Sequence, residues 1–450
     1  MHWQSYAGVV AILAATPVVV PGRAHAQPTD STARVQLGAM AVALGTTSAP
    51  AVAGRRLTEG YLSQPNLLGA ATLWQRPRVA VRAVGTLNAE GYTLRRGELT
   101  AGSYGEGYVD RRHPHTLVHE AMLTVRAMPS PEAGWRASLA AGKGFVPYGT
   151  DDPMMRPFVK YPVNHHHAQL LERVQGVAAL QVGTRARGAT LEQAWFNGDE
   201  PVAPFTGPQW RRVGDSHATR LTLHGARALE AQLSHAFVRS PGITQGGAFD
   251  HRQLSASVRW QPSDAAHDHA SPTSRDAEHG ADHDANRDTR PRDASPRLTY
   301  LLAEVARTDE GANGARAFRY ESALIEATGA WRRWQLAARV ERTDRPEPTR
   351  LLDVFRTTTG HIDFQIVGIT RWTTGTLHLD APPRTLLRTA VVPFVEATRA
   401  SAVARQRPAV FEPAAFYGSA RQWSLSAGLR LHVGRMRARM GRYGVLDSAL

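Results

Sequence analysis

Apolar side chains recur at every second position through much of this chain. Leu254, Ala256, Val258 and Trp260 alternate with Gln253, Ser255, Ser257 and Arg259. Trp334, Leu336, Ala338 and Val340 alternate with Gln335, Arg339 and Glu341, and Trp423, Leu425, Ala427, Leu429 and Leu431 with Ser424, Ser426 and Arg430. The same period runs through 79–87, where Arg82 is polar, and through 135–139 and 229–237. A period of two gives a strand one apolar and one polar face. The polar faces carry arginines and acids over about ten residues, the length a tilted membrane strand needs. Trp135, Trp260, Trp331 and Trp423 stand near the ends of such runs, as in an interfacial aromatic girdle. The pattern predicts an all-β fold, a transmembrane antiparallel β-barrel of about 14–16 strands, in preference to a large soluble β-protein.

The punctuation agrees with that reading. Connections are tight at 129–134, 183–188, 225–227 and 328–330, and long at 92–116, 146–168, 198–215, 343–360 and 401–420. Short turns at one end and long extracellular loops at the other are the outer-membrane arrangement. Segments near 34–44 or 436–445 complete an even strand number. Two runs, 298–305 and 386–395, are apolar on both faces and leave their type open. The polar stretch 262–296 is rich in Asp, His, Arg and Ala, and the alternation puts it on the short-turn side as a disordered insert. The chain closes on Tyr443-Gly444-Val445-Leu446-Asp447-Ser448-Ala449-Leu450 rather than on a strand with a terminal aromatic.

Residues 6–20 are almost wholly apolar, and Ala24-His25-Ala26 fits a small-x-small cleavage site. The expected division is therefore a signal peptide at 1–26, an N-terminal segment at 27–76 that includes an optional first strand, and the barrel at 77–450 with its insert at 262–296. Residues 1–5 carry no Lys or Arg, a departure from the usual signal start. No later stretch reaches the roughly 20 apolar residues of a spanning helix.

Charge and composition narrow the function classes. The chain has no cysteine, which excludes thiol, iron–sulfur and Cys-zinc chemistry. Its formal net charge is +14, nearly all from arginine, since Lys143 and Lys160 are the only lysines. Genome composition explains such a bias; so does a positive field that draws anions inward. On the second reading Arg82, Arg259, Arg339 and Arg430 line the lumen of a passive pore for small solutes or ions. Export argues against nucleic acid as a partner. The expected partners are outer-membrane lipid, the machinery that assembles barrels and the permeant solute, with homo-oligomer formation left open.

Three constellations carry candidate chemistry. His113, His115, His119 and Glu120 follow Asp110-Arg111-Arg112, and imidazole with carboxylate is a ligand set for zinc or copper. The structural alternative is ion pairing within the run. The turn-rich loop at 142–167 is a candidate for folding into the barrel, with Asp151, Asp152 and His165 at a constriction. The insert holds His267, His269, His279 and His283, a weak and reversible metal-binding composition. No cofactor is required, and no nucleophile motif accompanies the acids and histidines, so no catalytic residue and no enzyme activity are expected; a barrel hydrolase is the remote alternative.

The run Asp110-Arg111-Arg112-His113-Pro114-His115, with His119-Glu120 after it, resembles a motif of uncharacterised porin-like outer-membrane barrels, some associated with heavy-metal handling. The loop at 144–167, closing on His165-His166, is similar too. The resemblance covers about residues 100–180 and implies a porin-like barrel, with metal homeostasis as the alternative role.

Overall fold

In a computed structural model the described residues are 34–49, 56–93, 116–127, 130, 133–150, 156–163, 172–183, 187–199, 205–239, 249–262, 296–348, 366–405, 411–434 and 439–446. The expected signal peptide and the polar stretch after residue 262 lie outside them. Every alternating run becomes a strand. The order is β1 Arg34–Ala49, β2 Leu57–Arg76, β3 Val79–Asn88, β4 Val118–Ala127, β5 Trp135–Phe145, β6 Glu172–Gly183, β7 Gly188–Phe196, β8 Ser216–Gly225 and β9 Leu229–Val238. It continues with β10 Asp250–Trp260, β11 Arg297–Ala312, β12 Ala315–Trp331, β13 Trp334–Pro348, β14 Ile366–Asp380, the three-residue β15 Arg384–Leu386, β16 Thr389–Ala404 and β17 Arg421–Gly434. Because β14 and β16 pair directly, β15 is a stub within their hairpin, and the wall has 16 staves.

All neighbours run antiparallel, and β1 closes the ring on β17, from Gly38 opposite Gly434 to Ala49 opposite Trp423. Closure leaves no strand edge, which removes the unpaired backbone groups that hydrocarbon would penalise. The expected extra strand at 34–44 is thus β1, whereas 439–446 is not a strand. The connection at 261–296 joins β10 to β11 at the same end as the short β2–β3, β8–β9 and β12–β13 turns.

Outside and inside differ as the alternation requires. Leu139, Leu233, Val305, Ile325, Val340 and Leu377 stand on the outer face, all at least 54 % exposed. Trp135, Trp331 and Trp334 mark the short-turn edge of this belt, and Trp195 and Trp423 its long-loop edge. Ser255, Ser257, Glu326, Thr328, Thr374 and Ser426 face inward and are buried. Of the two runs with apolar residues on both faces, 298–305 belongs to β11 and 386–395 runs from the end of β15 through a turn into β16. Tyr300 and Leu302 pack inward with Leu324, and Phe394 packs inward against Val42 and Leu44, so the interior has apolar patches of its own.

A belt in contact with lipid tolerates no charge at mid-depth. Val340→Arg should cost about 2–4 kcal/mol, read from reversible denaturant unfolding of the barrel in lipid vesicles.

Candidate functional site in the barrel lumen

Among the described residues the loop after β5 and the segment after β17 run through the interior, and Phe411 and Tyr417 of the β16–β17 connection pack on the inward Trp372, Ala400 and Ala402. The first leaves β5 after Phe145. Val146, Tyr148 and Thr150, then 156–163 apart from the half-buried Pro157, are buried inside the ring. Pro147 and Gly149 (φ 73°) turn the backbone away from the wall. A segment without a ladder still needs partners for its buried amides and carbonyls, and inward side chains of the wall supply them. The Gly149 amide donates to Ser234 Oγ (3.2 Å), the Val159 and Lys160 amides to Glu396 (2.7 and 3.1 Å), and the Val163 amide to Glu341 (2.8 Å). Arg220, Arg339 and Arg430 donate to the carbonyls of Gly149 (3.2 Å), Lys160 (2.8 Å) and Pro157 (2.5 Å).

Its side chains are held as firmly. Arg156 pairs with Glu326 at 3.2 Å and Glu304 at 3.9 Å, and the Lys160 ammonium donates to Ser424 Oγ. The Thr150 hydroxyl sits 2.9 Å from Glu304. Phe158 lies beneath the Arg339 guanidinium at 4.5 Å, a cation–π contact. Burial, with the Glu304 carboxylate nearby, raises the Tyr148 phenol well above its ordinary range, so it stays neutral.

The second segment is the chain's own tail. Beyond Gly434 (φ 72°), residues 439–446 lie against the β3–β9 side of the lumen. Arg439 pairs with Glu230 at 2.8 Å and Arg442 with Glu192 at 3.4 Å. The Tyr443 hydroxyl donates to Glu120 (2.7 Å) and accepts from the Phe145 amide (2.9 Å). The Val445 amide donates to Ser138 Oγ at 3.2 Å. Gly444 has φ 70°, and a Cβ there would collide with Ser138, so this position needs glycine twice over. Tail and loop also touch, through Arg442 and the Thr150 carbonyl at 3.0 Å.

The four arginines read from the sequence sit on the inner face. Arg82 is half-buried on β3. Arg259 pairs with Glu230 (3.1 Å), Arg339 with Glu326 (3.4 Å) and Glu341 (3.7 Å), and Arg430 with Asp380 (3.2 Å). These last three are therefore members of ion pairs rather than a bare positive lining. Asp151, Asp152 and His165 lie outside the described residues, as do His113 and His115. His119 and Glu120 are both buried although adjacent, because a bulge puts Thr86 opposite Glu120 and Leu87 opposite Val118. Their partners diverge. His119 Nδ1 is 3.3 Å from Glu172, whereas Glu120 accepts from Thr86 and Tyr443. Lys143, 3.8 Å from Glu172, adds a cation to the His119 side. Among the described residues no three His, Cys, Asp or Glu side chains gather as a metal site.

Sequence reasoning read Glu120 as a metal ligand and missed the other wall acids that hold the loop and tail, Glu192, Glu230, Glu341 and Glu396. Their signal was present: each is an acid in a strand with no place in a lipid-facing belt. It also missed His378, whose ring nitrogens lie 3.0 Å from Glu396 and 2.9 Å from Asp380, tying a loop anchor to the Arg430 pair.

Arg220 tests the strength of this interior. Its Nε is 2.6 Å from Glu192 and its partner is as buried as itself. Arg220→Ala leaves Glu192 to Arg442 alone and should destabilise the barrel by about 3–5 kcal/mol; recovery in the same denaturant titration should need Glu192→Ala and Arg442→Ala together, since Glu192→Ala by itself strands the buried Arg442.

No protein-family model matches the chain, and no curated protein matches it. Solved structures similar to it are barrels. An anion-selective porin from Comamonas acidovorans is 10% identical, with 89% of this chain and 100% of that one covered and a TM-score of 0.48. The trimer form of OmpT, an outer membrane protein of Vibrio cholerae, is 8% identical, covering 89% and 100%, with a TM-score of 0.46. The outer membrane channel DcaP of Acinetobacter baumannii is 7% identical, covering 91% and 100%, with a TM-score of 0.45. All are distant likenesses.

Proposed function

We propose that the chain is an outer-membrane channel for small polar solutes or ions, that its path is the lumen, and that the described conformation is a narrowed one. The observation that carries this reading is how the lumen is occupied. Residues 146–150 and 156–163 of the loop and 439–446 of the tail are held by side-chain bonds to the inner wall, and among these described residues no ladder joins them to a strand. Such an occupant can shift while the barrel stays closed. The apolar belt with its tryptophan edges fits lipid, and the polar inner face fits water and solute. No chemical step is part of this reading.

The test is conductance in planar bilayers. The full chain should show small or infrequent openings, and a variant ending at Gly434 should conduct several-fold more. Glu396→Ala with Glu341→Ala, which frees three loop amides, should raise it further. Folded, inserted barrels of all three kinds that carry no current would overturn the channel reading.

Selectivity follows from the pairing. Because Arg259, Arg339 and Arg430 face acids, the anion preference expected from the arginine count is weak. Reversal potentials under a potassium chloride gradient should stay near zero; a strong chloride potential would show that unpaired cations govern the path.

A further inference from the structure

The outer wall carries a second charge pattern that the lumen does not use. At the long-loop edge of the apolar belt, arginines point outward from successive strands: Arg252 on β10, Arg307 on β11, Arg319 on β12, Arg342 on β13, Arg399 on β16 and Arg421 on β17. Arg371 adds one on β14. Their level is set by register. Arg252, Asp309 and Arg319 lie opposite one another across three strands, and Arg342 is joined to Arg421 through Thr373 and Ser401. Two residues toward mid-barrel, the same outward faces carry Leu254, Val305, Val340 and Trp423, all exposed. Arg307 lies opposite Leu254 and Arg399 opposite Trp423, so guanidiniums and apolar side chains share the last outward row of the belt.

The arrangement is one-sided. Within β3–β9 the arginines Arg82, Arg126, Arg136, Arg173 and Arg220 all sit at inward positions, and the outward long-loop positions there hold Leu87, Leu123 and Trp195. On the arginine side the acids are fewer than the cations: the exposed Glu321 lies opposite Arg307, and Asp309 and Asp344 hold arginines in groups. Asp309 holds Arg307 at 2.8 Å and Arg319 at 2.6 Å, with Arg316 at 4.0 Å. Asp344 holds Arg371 at 2.7 Å and Arg405 at 3.3 Å. Each carboxylate fixes at least two guanidiniums side by side and leaves the cluster positive. Arg307 and Arg316 keep 42 % and 55 % of their side-chain surface open.

We infer that this half-collar on β10–β17 is a binding surface for phosphate-bearing lipid headgroups of the surrounding leaflet. Guanidinium forks match phosphate oxygens in pairs, and neighbouring strands about 4.8 Å apart let two arginines share one phosphate. The acyl chains of the same lipid would lie on the belt below. The inference rests on the reading of the barrel as membrane-embedded and adds a lipid class and a place on the perimeter.

The full chain would be refolded into vesicles of phosphatidylcholine with and without a minor fraction of lipid A, a bisphosphorylated glycolipid. Retained lipid would be counted by native mass spectrometry after extraction. Lipid A should be enriched in the retained set, and the enrichment should fall as salt rises. An arginine at the headgroup plane contributes about fivefold to partitioning, so Arg252→Gln, Arg307→Gln, Arg342→Gln and Arg421→Gln together should lower the enrichment by tenfold or more. Arg76→Gln, Arg297→Gln, Arg333→Gln and Arg384→Gln, exposed at the opposite end, should leave it unchanged. Insertion into plain phosphatidylcholine tests the membrane reading separately. A barrel that inserts there yet retains lipid A no better than phosphatidylcholine, or retains it equally in both variants, overturns the collar.

Discussion

A strand in hydrocarbon has no water to satisfy its amides and carbonyls, so each must find a partner within the chain. The pairing of β1 with β17 meets that condition for the whole wall. It fixes the even number of staves, puts both strand termini at the short-turn end, and forces every side chain to one of two faces. The outer face then has to be apolar, and polar chemistry can sit only inside or beyond the belt. The interior of this barrel is accordingly where its acids and its buried arginines meet.

That confinement shapes how the lumen is filled. An unpaired charge inside a low-dielectric ring is costly, so cations and acids come in matched sets. Glu192 is shared by Arg220 and Arg442, and Glu230 by Arg259 and Arg439. In each set one arginine belongs to the wall and the other to the tail. On the other side Glu326 serves Arg339 from the wall and Arg156 from the loop. The same carboxylates thus stabilise the wall and anchor what lies within it.

The wall was legible because a strand period is local: β10, β13 and β17 show it residue by residue. The runs at 298–305 and 386–395 resisted because period cannot tell a strand with an apolar lumen patch from a buried segment, and Tyr300, Leu302 and Phe394 form such patches. The inward course of the loop was readable from its Pro and Gly density, but its anchors were not, since Glu341 and Glu396 are about 180 to 240 residues away in sequence. His119 and Glu120 look like neighbours on opposite faces; only the bulge, a tertiary feature, turns both inward. The segment near 436–445 was one of two that could complete an even strand number; β1 completes it, and the Tyr443 hydroxyl is committed to Glu120.

The tail's topology sets an order of events. Gly38 and Gly434, partners in the closing seam, are about 400 residues apart, so the ring is completed only when the final strand docks. Residues 439–446 follow that strand and make no ladder of their own. Closure and filling are therefore separate steps in the life of the molecule: the ring can be complete before its end is tucked in, and the end can be drawn out again without unzipping a single seam. Moving residues 439–446 leaves every stave paired, and it must break the pairs of Arg439 with Glu230 and of Arg442 with Glu192.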